Sequence, residues 1–268
     1  MRKITLIFAS LLLIANLTAQ SEAYSARALS LGFIGQTDTS VFSIFYNQAQ
    51  LAKIQGFSGG ISYQNFLSLP NYDLKSLALA YGFEKSGTIG LSFSSIGIPD
   101  YQEQRLGLAY AMKLWKNFYA GLQLNFQIVD QPKYYGNIYT ATAEISAIYS
   151  PVKDLNIGFK VYNFWYGLIK SQNFPLILAL AMDYKFAQKA YFTAEIEKNI
   201  YYPTAYKWGA EYRIIDNVGL MIGGRFQNNI YTYTLGINYN LKNFGIQIGF
   251  ANHPLTGFTG GISLNYHL

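Results

Sequence analysis

The sequence contains no cysteine and only two histidines among its 268 residues. Without cysteine the chain has no disulfide bonds, thiolate metal sites or cysteine nucleophiles. His253 and His267 have no partner at the spacing that metal ligands need. No Gly-x-Ser-x-Gly motif occurs, and the glycine-rich pieces lie within strand patterns instead of ahead of a helix. We therefore predict a protein that is not an enzyme and that uses no metal or cofactor.

Charged residues are also scarce, at 13% of the chain, against about 25% in soluble domains. The net charge of +6 is spread along the sequence, and no cluster of Lys and Arg indicates a nucleic-acid partner. Beyond the N-terminus, no run approaches the ~20 apolar residues of a membrane helix. Aromatic residues, in contrast, make up 17%, including 24 tyrosines. This combination favours a transmembrane β-barrel in contact with outer-membrane lipid.

The one apolar run, at the N-terminus, has the features of a signal peptide over residues 1–20. Arg2 and Lys3 form the basic region, Ile4 to Ala15 the apolar region, and Ala19 a small residue at a cleavage point. The alternative is an uncleaved anchor helix, although the run is short for a membrane span.

Residues 243–252 show the pattern that dominates the rest of the chain. Phe244, Ile246, Ile248 and Phe250 alternate with small or polar residues, a period of two that predicts a strand with one apolar face. The pattern recurs from residue 56 to residue 268, and fourteen strands can be counted. The fold class predicted is all-β: a 14-stranded antiparallel transmembrane β-barrel with an N-terminal plug segment.

The connections between these strands alternate between short and longer ones, and the predicted longer ones include residues 97–104. Outer-membrane barrels have short periplasmic turns and longer outer loops. With an even number of strands, this predicts a bacterial outer-membrane protein whose two termini are periplasmic.

Residues 21–55 lack the alternation and are apolar at several spacings. We interpret them as a compact plug or hatch, in or under the barrel formed by residues 56–268. The alternative is a periplasmic leader without further role, but disordered leaders are seldom this apolar.

Charges within the strands fall on the inward face by parity, because a Lys or Arg facing lipid at the midplane costs ~2–4 kcal/mol. Opposite signs alternate between neighbouring strands, which favours a belt of mutually paired charges that also anchors the plug. The alternatives are a constriction that selects solutes and a catalytic pair of carboxylates. The predicted lumen belt consists of Arg105, Glu144, Lys160, Asp183, Glu195, Lys207, Glu211, Arg213 and Arg225.

Two N-terminal stretches resemble a known family. Residues 25–32 read Ser-Ala-Arg-Ala-Leu-Ser-Leu-Gly, and residues 43–52 read Ser-Ile-Phe-Tyr-Asn-Gln-Ala-Gln-Leu-Ala. They resemble the N-terminal signature of the FadL-like outer-membrane proteins, in particular the PorV/PorQ branch of Bacteroidota, although Gln48 stands where that branch has proline. The plug-signature residues are Ser25, Ala26, Arg27, Gly32, Asn47, Ala49 and Leu51.

The resemblance implies a barrel that docks exported proteins or secretion machinery at the outer membrane, within type IX secretion. It also implies an alternative, a FadL-like channel for hydrophobic small molecules with a side opening in the wall. Gly97 and Pro99 mark the position predicted for such an opening, because proline can interrupt the pairing of strands.

Overall fold

A computed structural model describes residues 23–132, 134, 136–166, 174–187, 189–254 and 257–268. The predicted signal peptide, residues 1–20, lies outside them. Fourteen antiparallel strands close into one barrel, in which β1 pairs with both β2 and β14. The predicted antiparallel β-barrel and its strand number are therefore confirmed. The strands are β1 Gly56–Asn65, β2 Asp73–Phe83, β3 Gly87–Ile98, β4 Tyr101–Trp115, β5 Phe118–Asp130, β6 Ile138–Tyr149, β7 Leu155–Tyr162, β8 Ile177–Phe186, β9 Ala190–Asn199, β10 Ala205–Ile215, β11 Val218–Gln227, β12 Ile230–Leu241, β13 Phe244–His253 and β14 Gly257–His267.

The alternation seen in the sequence decides which side chains face outward. In β8, for example, Leu178, Leu180 and Met182 are exposed, whereas Ala179 and Ala181 are buried. The outer face is a continuous band of large apolar side chains, as expected where the surrounding medium is lipid. None of the helices in the described residues is long and apolar enough to span a membrane.

One end of the barrel carries the shorter connections, which we call the turn end; the opposite end is the loop end. At the turn end the backbone amide of Leu268 donates to Phe57 O, so the barrel begins and ends on the same side. The prediction of a longer loop at residues 97–104 is wrong. β3 and β4 pair up to Ile98 and Tyr101, leaving a turn of only residues 99–100, because Gly97 and Gln102 continue the ladder.

Residues 23–54, which we call the N-terminal segment, contain a short helix, α1 (Ala26–Ser30), and two 3₁₀-helices, Val41–Phe45 and Gln48–Lys53. Each begins at a side chain that accepts a backbone amide hydrogen bond: Ser25, Ser40 and Asn47 respectively. Such caps compensate for the unpaired amides of a helix start.

The N-terminal segment follows the inner wall through most of a turn. The helix α1 packs on β12 to β14, Thr37 bonds to β9, Asn47 bonds to β6 and β7, and Ile54 reaches β2. Glycines on the wall allow this close approach: a Cβ at Gly249 would overlap the carbonyl oxygen of Ala26. Residues 23–54 thus lie inside the barrel, while their action as a plug stays a prediction.

The interior is divided into an apolar side and a polar side. On the apolar side, Phe42, Ile44, Phe45 and Leu51 of the N-terminal segment are fully or almost fully buried. They pack in one cluster with small inward residues of β2 and β4, such as Ala78 and Ala109. Burying each of these large side chains contributes about 1.5–3 kcal/mol, which fixes the segment against β1 to β4. The charges lie on the polar side, along β4 to β11.

Candidate functional site

A cavity of about 430 Å³ lies in the loop-end half of the barrel, within the range of small-molecule sites. Its floor is made by aromatic side chains of the N-terminal segment, and its walls by inward residues of β3 to β10 near their loop ends. The aromatic residues that line it are Tyr24, Phe33, Phe45, Tyr46, Tyr101, Tyr162, Phe174, Tyr201 and Tyr202.

The floor is held rigidly because its rings contact one another. Tyr24 stacks on Phe45 with the ring centroids 4.6 Å apart, and Tyr46 meets Tyr24 edge-on at 6.0 Å. The Tyr46 hydroxyl accepts a hydrogen bond from the Ser25 amide at 3.1 Å. This bond ties together the two stretches of the segment that carry the family resemblance, residues 25–32 and 43–52.

The first charged group on the wall centres on Glu144, which is fully buried. Its carboxylate lies 2.6 Å from Lys160 Nζ and 4.0 Å from Arg105 Nη1. Asn125 Nδ2 donates to it at 2.7 Å and Gln48 Nε2 at 3.0 Å. A buried carboxylate needs such compensation, because an unpaired one is costly to remove from water. We call Glu144, Lys160 and Arg105 the Glu144 cluster.

Gln48 therefore has a contact that a proline at the same position would lack. Proline has no side-chain donor, whereas the Gln48 amide bridges Ile44 O and the Glu144 carboxylate. Arg105 also contacts the N-terminal segment, with its guanidinium carbon 4.6 Å from the Tyr24 ring centroid. The Glu144 cluster thus joins the wall to the segment.

The second charged group, the Lys207 cluster, lies farther around the wall, on β9 and β10. Lys207 Nζ contacts Glu195 Oε1 at 2.7 Å and Glu197 Oε2 at 2.9 Å. Arg225 is the cross-strand neighbour of Lys207 on β11, as Glu195 is on β9. The Arg225 guanidinium bonds to Gln227 and lies 5.7 Å from the Phe33 ring centroid.

A third group lies deeper, below the cavity floor. The Arg27 guanidinium forms a hydrogen-bonded ion pair with Glu211, and its Nε lies 3.9 Å from Asp38 Oδ1. Burial alone would lower the pKa of Arg27, but the negative charges of Glu211 and Asp38 outweigh it and hold that pKa above its ordinary value. Asn238 donates a second hydrogen bond to Glu211 at 3.0 Å.

Two predicted belt residues stand apart from these groups. Asp183 is buried and accepts a hydrogen bond from Asn156 Nδ2 at 3.0 Å. Arg213, near the turn end of β10, is exposed. The belt is therefore three separate groups plus Asp183, with Arg213 outside them, instead of one continuous ring.

The residues of the predicted plug signature cap helices of the N-terminal segment or attach it to the barrel wall. Ser25 caps α1 through Ala28 N, and Ala26 N donates to Ser263 Oγ at 2.6 Å. Gly32, with φ of 68°, donates to Thr234 Oγ1 at 3.0 Å.

The second stretch of the signature is anchored to other strands. Asn47 Nδ2 donates to Ala147 O at 3.2 Å while its Oδ1 caps Ala49 N. Ala49 N also lies 3.0 Å from Ser146 Oγ, and Leu51 belongs to the apolar cluster.

The predicted lateral opening has no gap in pairing at its position. Gly97 pairs with Asp73 of β2 on one side and Gln102 of β4 on the other, and Pro99 lies in the turn that follows. Gly97 takes a φ of 146°, so the glycine accommodates the sharp turn without breaking the ladder.

The described wall has its least pairing beside β7, which is the shortest strand. The ladder between β6 and β7 ends at Glu144 and Tyr162, so residues 138–143 of β6 have no strand partner on that side within the described residues. Trp165 Nε1 and the Phe164 amide donate to Ala141 O and Ala143 O there, at 3.3 and 3.2 Å.

Several contributors to the site were not predicted as site residues. They are the floor rings Tyr24, Phe33, Phe45 and Tyr46, and the acids Asp38 and Glu103. The rings lie in a segment whose apolar residues follow no regular period, so the sequence could show that they were buried but not against which strand.

Comparison with solved structures finds the same fold. A FadL homologue of Pseudomonas aeruginosa matches with a TM-score of 0.70 at 10% identity, over 92% of this chain and 98% of that one. The toluene transporter TodX of Pseudomonas putida matches at 0.69 and 9%, over 91% and 96%. The outer membrane protein Omp33 of Acinetobacter baumannii matches at 0.51 and 10%, over 80% and 98%.

No protein-family model matches the sequence, and no curated protein matches it. The structural matches nevertheless show that the chain has the fold of FadL-type outer-membrane barrels over nearly its whole length. The comparisons do not support the PorV/PorQ branch or an origin in Bacteroidota.

Proposed function

We propose that this chain is an outer-membrane channel that admits small, largely apolar molecules from the loop end. The observation that carries the proposal is the cavity of about 430 Å³ with its aromatic floor and walls. Aromatic side chains provide large apolar contact areas that favour a ligand of similar character. The similarity in fold to the toluene transporter TodX supports the same function.

In this proposal the loop end faces outward, with the turn end and both ends of the barrel in the periplasm. The N-terminal segment closes the lumen beneath the cavity, acting as the plug predicted from the sequence. A molecule leaving the cavity then either displaces that segment or passes through the wall. The notch beside β7, where β6 lacks a strand partner, is the place in the described wall with the fewest backbone hydrogen bonds to break.

The experiment measures entry of the neutral apolar fluorophore N-phenyl-1-naphthylamine into cells that carry the barrel in the outer membrane. Ala179 lines the cavity and Leu178, beside it on β8, faces outward. We expect Ala179→Trp to lower the initial uptake rate severalfold by filling the cavity, and Leu178→Trp to leave it unchanged. Equal rates with and without the barrel would contradict a channel function.

Docking of an exported protein in type IX secretion is the other function that the sequence suggested. No feature of the described residues favours it over uptake, and the neighbours named above include a toluene transporter and no secretion protein. If deletion of the gene impairs protein secretion without changing fluorophore uptake, docking becomes the better proposal.

A further inference from the structure

The Lys207 cluster contains a polar atom that its protein neighbours do not satisfy. Lys207 Nζ bonds to Glu195 Oε1 at 2.7 Å, but Glu195 Oε2 has no hydrogen-bond partner in the described residues. Glu195 is only 4% exposed and lines the cavity. A buried acceptor without a donor costs free energy that a suitable donor would recover.

The charge of the cavity indicates which donor fits. Among the described residues that line it, the acids Glu103, Glu195 and Glu197 are balanced by three basic residues, Arg105, Lys160 and Lys207. An ammonium group would add one unbalanced positive charge to this set, and a carboxylate one negative charge. Burying either would leave a charge without a partner. A hydroxyl group donates a hydrogen bond without changing the balance.

The remainder of the lining indicates the body of the ligand. The rings of Tyr24 and Phe45 form a stacked pair in the floor, and the Phe33 ring also lines the cavity. Flat ring compounds pack on such surfaces in offset or edge-on geometry.

We infer that the cavity selects neutral ring compounds that carry a hydroxyl group, with Glu195 as the acceptor that distinguishes them from plain hydrocarbons. This inference rests on the proposed uptake function and specifies its substrate class. Glu195 is then a specificity-determining residue.

The test compares three probes of similar size: p-cresol, its methyl ether 4-methylanisole, and toluene. Binding to the full barrel in detergent micelles is measured by titration calorimetry, with empty micelles as the blank. We expect p-cresol to bind at least about tenfold tighter than either other probe, the effect of one hydrogen bond to a charged group.

Glu195→Gln tests the assigned residue. Its amide would present the oxygen to Lys207 and the NH₂ group to the ligand, so it would no longer accept the hydroxyl. The preference for p-cresol should fall to near unity. Asp183→Asn is the matched control, because it makes the same carboxylate-to-amide change on the neighbouring strand, outside the cavity lining, and should keep the preference.

Equal binding of p-cresol and 4-methylanisole by the unaltered barrel would overturn the inference and leave the uptake function standing. Retention of the p-cresol preference in Glu195→Gln would overturn the role of Glu195. Failure of all three probes to bind would overturn the inference together with the proposed function. The comparison of probes on the unaltered barrel decides the question even if Glu195→Gln does not fold.

Discussion

The Arg27 guanidinium of the N-terminal segment forms a hydrogen-bonded ion pair with the Glu211 carboxylate on β10, 184 positions later in the chain. Both side chains are largely shielded from solvent, with exposed fractions of 18% and 6%. The pair fastens the segment to the wall on the side opposite to its apolar cluster. Removal of one partner would leave the other charge buried and uncompensated.

We therefore expect Arg27→Ala to lower the free energy of unfolding by about 3 kcal/mol, as for other broken buried pairs. The measurement is urea-induced unfolding of the barrel in phospholipid vesicles. Arg213→Ala is the control, because Arg213 is an exposed cation two positions from Glu211 on the same strand. If both variants lost the same stability, the ion pair would not be what holds the segment.

Gly249 tests the close approach of the segment to the wall. A Cβ there would overlap the Ala26 carbonyl oxygen, whereas a Cβ at Gly260 meets only ordinary contacts with the Phe250 ring. Gly249→Ala should displace α1 at a cost of about 1–3 kcal/mol, typical of overpacking.

The readout is trypsin cleavage after Arg27 and Lys53, followed by mass spectrometry of the released fragments. Cleavage should be faster in Gly249→Ala than in the unaltered protein or in Gly260→Ala. The same resistance in all three would mean that the segment does not depend on this contact.

The notch beside β7 predicts an uneven pattern of amide hydrogen exchange. The carbonyl oxygen of Ala143 accepts a hydrogen bond from the Phe164 amide, so the backbone polar groups of Ala143 point toward the notch. Because this direction alternates along a strand, the amides of Ala141 and Tyr139 also point toward the notch. The amides of Thr140 and Thr142 point instead to β5, their partner strand. We expect Tyr139 and Ala141 to exchange faster than Thr140 and Thr142 in exchange measured by NMR. Uniform protection along β6 would show that the wall is closed there.

Because the N-terminal segment fills the interior, we expect the barrel not to conduct ions. The unaltered protein in a planar bilayer should give no steady ion current, because the N-terminal segment occupies the lumen beneath the cavity. A variant that lacks residues 23–54 should conduct, since those residues are what fills the lumen. A steady current from the intact barrel would contradict closure by the segment, and the Glu144 and Lys207 clusters would then lie along an open path.

The strand number and the facing of side chains could be predicted because lipid imposes one rule on every strand. Leu178 and Leu180 must face outward, so Ala179 faces inward whatever the neighbouring strand contains. The alternation also placed Glu144, Glu195 and Lys207 inside. Their partners could not be predicted, since Lys160 meets Glu144 only through the register that pairs Ser146 with Lys160.

The N-terminal segment was identified as different, but its course was not predictable. Its hydrogen bonds go to individual residues on many different strands. Asn47, for example, bonds to Ala147 O on β6, and Ala26 bonds to Ser263 Oγ on β14. These depend on the curvature of the closed wall, which no local pattern encodes. The short turn at residues 99–100 is not predictable for a related reason, because Gly97 and Gln102 resemble loop residues in the sequence and only their pairing shows them to be part of the strands.

The course of residues 23–54 around the inner wall has a consequence for the assembly of the barrel. The amide of Ala26, near the beginning of the segment, bonds to Ser263 of the last strand, 237 positions later, while Ile54, near its end, lies against β2. The segment therefore spans a fixed stretch of the inner circumference. It can make both of these contacts only in a barrel whose circumference matches that length. A barrel with one hairpin too few or too many would leave these anchor points out of reach. The contacts of the segment are thus matched to a barrel of fourteen strands.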